Sequence, residues 1–127
     1  MENQVYITEL HQDHQYWEKK LAFYEDELKI MKNHLADISA KNTDTAVKVR
    51  VEQFQNRFII QKNEIDELKH FIHVEEDHLV QNVVENPVAS DHRKLQDNTQ
   101  LRDRVNIFDP LFESLREEFN QFLAENL

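Results

Sequence analysis

Residues 67 to 79, ELKHFIHVEEDHL, hold three histidines and four acidic side chains in thirteen positions. Imidazole and carboxylate are the ligands of zinc and related divalent ions, so this density raises metal binding first. Placed on a helix, the residues divide. Ile65, Leu68, Ile72 and Leu79 fall on one apolar stripe, while Asp66, His70, His73 and Asp77 lie opposite it, within about 60° of one another. His70 and His73 stand one turn apart and could hold a divalent transition metal with a flanking carboxylate, yet a single helix rarely completes four ligands. The same spacing also makes Asp66 and His70, and His73 and Asp77, ordinary i,i+4 pairs of a solvated face. A buried dinuclear centre needs Glu-x-x-His on separate helices. Here Glu67-x-x-His70 and Glu75-x-x-His78 share one helix. The stretch therefore reads as a wet helix face with no resident cofactor, and a surface metal site is the alternative.

The elements that position these residues follow from the apolar spacing. Ile7, Leu10, His14, Trp17, Leu21, Tyr24, Leu28, Met31, Leu35 and Ile38 alternate steps of three and four, a heptad seam that one histidine interrupts. SAKNTDT, residues 39 to 45, is the first cluster of turn and capping residues, and Asn42, Thr43 or Asp44 can cap a second helix. That helix carries Val47, Val51, Phe54, Phe58, Ile65, Leu68, Ile72 and Leu79 in register, with Gln61 and Glu75 on the same seam, and Asn86-Pro87 ends it. A third helix is apolar mainly in its second half: Phe108, Leu111, Phe112, Leu115, Phe119, Phe122 and Leu123. Asp109-Pro110 either kinks it or breaks it to start a fourth.

The sequence thus predicts one domain over residues 1 to 127, an all-α antiparallel up-down-up bundle of three long helices. Their spans are about 3–40, 45–85 and 88–126, each roughly 60 Å at 1.5 Å per residue, with coiled-coil-like packing and a kink at Pro110 in the third.

Three polar residues fall near the axis at the end away from the first turn: His14, Glu75 and His92, with Thr99 beside them. An unpaired buried imidazole or carboxylate costs several kcal/mol, so His14 and Glu75 must meet each other, another polar group, water or a metal. A satisfied polar layer is the simpler expectation, because polar seam positions fix register. On the first helix Tyr16, Phe23 and Ile30 recur every seven residues beside the seam and widen its apolar arc to about 160°. The thin apolar face at the start of the third helix leaves part of that arc uncovered, which makes these three the candidate contacts for a protein partner or a second copy of the chain.

Composition removes other classes. A formal net charge of −10 repels nucleic acid and anionic membrane surfaces. With no glycine there is no phosphate-cradling loop, and with no cysteine there is neither disulfide nor thiolate chemistry. No apolar stretch approaches the ~18 residues of a membrane span, and the N-terminus lacks a signal-peptide pattern. A cytoplasmic setting is expected. Ser39 and Ser90 sit near helix ends, Ser114 lies mid-helix with no histidine nearby in sequence, and a slender bundle offers no cleft between paired carboxylates. The expected function is non-enzymatic: a helical bundle mediating protein–protein interaction or self-association, the alternative being a bundle that binds metal through histidine and glutamate.

Overall fold

A computed structural model describes residues 4–127. It is an up-down-up bundle of three helices: α1 (Ile7–Lys41), α2 (Thr45–Glu85) and α3 (Thr99–Asn126). Two short strands, β1 (Gln4–Tyr6) and β2 (Lys94–Gln96), and a single 3-10 turn (Ser90–His92) close the end opposite the α1–α2 turn.

All ten residues of the heptad seam in α1 are buried, His14 included. Asn42 to Asp44 form the turn, and the Asp44 carboxylate accepts from the Ala46 N–H at 2.9 Å, which starts α2. On α2 the buried residues are Val51, Phe54, Phe58, Ile65, Leu68, Ile72 and Leu79, and Gln61 and Glu75 fill the remaining seam positions half-buried. Near the turn the core is aromatic: Phe54 meets Phe119 edge-on at 5.3 Å and lies 5.1 Å from Phe122. A separate small cluster at the open end joins Ile7, Leu10 and Leu79, with Val5, Val83 and Leu95 packed against it.

Two boundaries differ from the sequence expectation. The first helix begins at Ile7 rather than near residue 3, which lies outside the described residues; residues 4 to 6 are extended. The third helix begins at Thr99 rather than residue 88. Between Pro87 and Leu101 only Leu95 is a large apolar residue able to reach the core, so a helix there would bury about one side chain in three turns. Extended, Lys94-Leu95-Gln96 instead pairs antiparallel with Gln4-Val5-Tyr6, setting Val5 opposite Leu95 with both half-buried. The ribbon caps the open-end cluster. The third helix is therefore shorter, 28 residues against 41 for α2, and the last turns of α2 project past it under the ribbon.

In this glycine-free chain the reversal after α2 uses Ala89 at φ 53°, ψ 33°, a left-handed conformation. Asn98 then caps α3 by accepting from the Leu101 N–H at 3.1 Å. α3 runs unbroken through Pro110, so no fourth helix forms. Pro110 is exposed, and so is Asn106, whose carbonyl the proline leaves without its helical donor; water can reach that group.

Candidate functional site

Two regions gather the residues singled out by sequence. The first is the polar layer at the open end. His14, 5% exposed, sits on the α1 seam, and its Nδ1 lies 2.6 Å from Oε2 of Glu76 on α2. The other Glu76 oxygen bonds His11 Nδ1, so one carboxylate holds two imidazoles a turn apart on α1. Glu75, the expected partner, turns the other way and accepts from Asn98 Nδ2 at 2.8 Å. The α3 cap and the α2 seam are thereby joined through one amide.

His14 and Glu75 nevertheless border the same cavity, of about 160 Å³, together with Leu10, Trp17, His78 and Leu101. Thr99 does not line it, but borders a neighbouring open depression with Glu75, Asp97 and Asn98. His92 does not line this cavity: it is exposed in the 3-10 turn. His70 and His73 lie on the exposed side of α2, with His70 against Phe71 and His73 Nδ1 3.6 Å from Glu18. The five candidate ligands are thus spread over three places. No group of three or more histidines and carboxylates is arranged to hold a metal among the described residues.

His11, Glu76, Asp97 and Asn98 were not singled out from the sequence. A signal existed for the first two. Glu76 follows Lys62 and Lys69 at seven-residue steps along the α2 edge that faces α1, and His11, Glu18 and Glu25 follow one another in the same way on α1. Lys69 bonds Glu25 at 3.1 Å and lowers its carboxyl below the ordinary range, chiefly through that hydrogen bond, with Lys62 adding to it. Asp97, buried, is held by Arg102 at 2.8 Å, and Arg102 also reaches Asp13 at 2.7 Å.

The second region is the outer row of α1. Tyr16, Phe23 and Ile30 are 60%, 59% and 57% exposed, so neither neighbouring helix covers them. The row lies along the α1–α3 flank. Lys20 and Glu27 stand on its α3 side and bind Asp109 and Arg116; Lys19 and Asp26 stand on its free side, exposed. Lys20 also covers the Tyr16 ring, its Nζ 4.9 Å from the centroid. Glu9 and Asp37, one heptad beyond either end and exposed, close the row. A further apolar groove runs along the open end between Ile7, Leu79, Val80, Val83 and Val84.

Among the described residues no helix is long and apolar enough to cross a membrane. Compared with family models, curated proteins and solved structures, the chain matches none.

Proposed function

We propose that this chain is a non-enzymatic, cytoplasmic interaction protein, a bundle that presents the outer row of α1 to another protein. The observation that supports the reading is the row itself. Three large apolar side chains stand in line on a rigid helix, more than half exposed, between two rows of charge. An apolar centre with a charged rim is the usual make-up of a contact surface between proteins. Since α1 is anchored along its whole length by the buried seam, the row needs no ordering on contact, which lowers the entropic cost of association.

The test is photo-cross-linking in cells. A photoreactive side chain at Phe23 or Tyr16 should give a protein adduct of discrete mass, whereas the same group at Glu117, on the solvent face of α3, should not. Absence of any adduct from positions 16, 23 and 30 overturns the reading. Phe23→Glu should keep the circular dichroism and melting of the parent; a variant that unfolds shows Phe23 to be core.

A further inference from the structure

We infer that the protein received by this row is a second copy of the chain, packed antiparallel across a two-fold axis at Phe23. The inference rests on the interaction reading above and goes further by naming the occupant. Its ground is charge complementarity.

The apolar row is three residues long and symmetric about Phe23, spanning about 21 Å from Tyr16 to Ile30. When two copies of a helix face pack antiparallel about a two-fold axis, each row meets itself reversed. With the axis at Phe23, Phe23 meets Phe23 and Tyr16 meets Ile30. On the free side Lys19 then falls within one residue of the level of the other copy's Asp26. On the α3 side Lys20 falls likewise opposite Glu27. Symmetry makes each pairing twice. Gln12 and Asn33, the next members of the free-side row, also face each other.

The alternatives fail on the same charges. Sliding one copy by a heptad in one direction sets Lys19 against Lys19 and Lys20 against Lys20; in the other direction Asp26 meets Asp26 and Glu27 meets Glu27. A parallel two-fold pairing brings the two flanks together, Lys19 beside Lys20 and Asp26 beside Glu27. Of these arrangements, only the antiparallel one centred on Phe23 pairs opposite signs, which is how charged flanks select register in paired helices. Lys20 and Glu27 already have partners on α3, so Lys19 and Asp26 carry most of the discrimination. On the free side of the row the exposed charges, Lys19, Asp26 and Lys29, include one acid and two lysines, so the chain's charge of −10 is not concentrated there.

Two repulsive contacts remain. Glu9 meets Asp37 beyond the ends of the row, and Glu113, exposed on the α3 flank, approaches its own copy near the axis. Exposed charges there are screened by salt, as are the exposed Lys19 and Asp26 pairs, so salt weakens the preference for this register over the others. The face is small beside the ~800 Å² per partner of a stable complex, which makes this a reversible, concentration-dependent dimer.

The natural absence of cysteine allows a direct test. Under mild oxidation Phe23→Cys should cross-link to itself, Tyr16→Cys and Ile30→Cys should not cross-link alone, and a mixture of the latter two should. In sedimentation velocity Lys19→Asp and Asp26→Lys should each weaken the dimer about tenfold, because each change acts at both ends of a symmetric interface. The double variant should recover the parent affinity. Self-cross-linking of Tyr16→Cys, or a double variant no better than its singles, overturns the arrangement. A parent that stays monomeric up to about 1 mM, while the photoreactive group at Phe23 captures a different protein, overturns self-pairing and leaves the interaction reading standing. No adduct of either kind overturns both.

Discussion

Lys20 on α1 and Asp109 on α3 form the middle rung of an ionic ladder. One heptad earlier Asp13 meets Arg102 at 2.7 Å, and one heptad later Glu27 meets Arg116 at 2.6 Å. Each rung joins residues 89 apart in sequence. The signs alternate down α1 as acid, base, acid and down α3 as base, acid, base. Sliding α3 by one heptad therefore opposes like charges across the central rungs, while the apolar seams would tolerate it. Burial supplies the driving force for docking α3, and the ladder selects its register.

The middle rung is the one to break. Asp109 accepts from Tyr24 at 2.9 Å as well as from Lys20, and both partners are mostly buried. Asp109→Ala should cost about 2–3 kcal/mol in urea unfolding, since it strands an ammonium and a phenol together. Exchanging the charges, Lys20→Asp with Asp109→Lys, should recover part of this but not all, because an ammonium cannot accept the Tyr24 hydrogen bond. Full recovery would show that the phenol contributes nothing.

The Tyr24 phenol also links stability to alkaline pH. Burial raises its pKa well above the ordinary value near 10, and the hydrogen bond to the Asp109 carboxylate raises it further. Above pH ~10 the unfolded chain releases this proton while the folded chain keeps it, so the native state binds more protons and stability falls as pH rises. The contribution is complete below pH ~10 and is lost progressively above it. Tyr24→Phe should flatten the alkaline limb of a plot of unfolding free energy against pH. An unchanged slope would locate the alkaline loss elsewhere.

Glu25 gives the opposite dependence at the acid end. The hydrogen bond from Lys69 lowers its pKa, so the unfolded chain takes up a proton first as pH falls. The stabilisation is full above the ordinary carboxylate range and disappears as pH falls through the lowered value. Glu25→Gln should be less stable than the parent at neutral pH, and the two should converge as pH falls through the lowered pKa of Glu25. The difference should be modest, because the ion pair is at the bundle's edge.

What the sequence made legible was the seam, because a buried stripe of one helix is written in contiguous spacing. Every α1 residue from Ile7 to Ile38 at those steps is inside. Less legible were facts that join distant segments. The pairing of Val5 with Leu95 joins segments separated in sequence by both α1 and α2, and nothing in QVY or KLQ alone names its mate. Both segments fall inside helices expected from the sequence, and only in the structure do they show the alternating burial of extended chain; the sparse apolar content of residues 88 to 98 explains why the helix expected there does not form. The choice of Glu76 over Glu75 for His14 has a geometric cause. Consecutive residues differ little in level but by about 100° around the helix. Glu75 faces Asn98 at the start of α3, whereas Glu76 lies on the α2 edge that faces α1.

That contact makes a prediction of its own. Glu76→Ala removes the acceptor of buried His14, and an unsatisfied buried donor costs about 1–3 kcal/mol. His11, half-exposed, can turn to water, so His11→Ala should cost less than ~0.5 kcal/mol. In Glu76→Ala the added change His14→Leu should restore most of the loss, because it completes the apolar seam between Leu10 and Trp17. Equal effects of His11→Ala and Glu76→Ala would mean that the carboxylate acts through the exposed imidazole instead.

Pro110 offers the last prediction, and it runs in the stabilising direction. Within α3 it removes one backbone donor and crowds the preceding turn, while its own side chain is exposed. Phe108 and Phe112 on either side are buried, so packing rather than helix propensity carries the chain through this position. Pro110→Ala should therefore stabilise the bundle by about 1–3 kcal/mol, with the midpoint of thermal unfolding rising and the shape of the helical spectrum unchanged. Ala89→Gly acts on the other strained backbone position and should add about 0.5–1 kcal/mol, less because glycine also gains freedom in the unfolded chain. The two sites are far apart along the rod and share no partner, so their effects should add. A Pro110→Ala variant no more stable than the parent would mean that the freed Asn106 carbonyl is fully compensated by solvent.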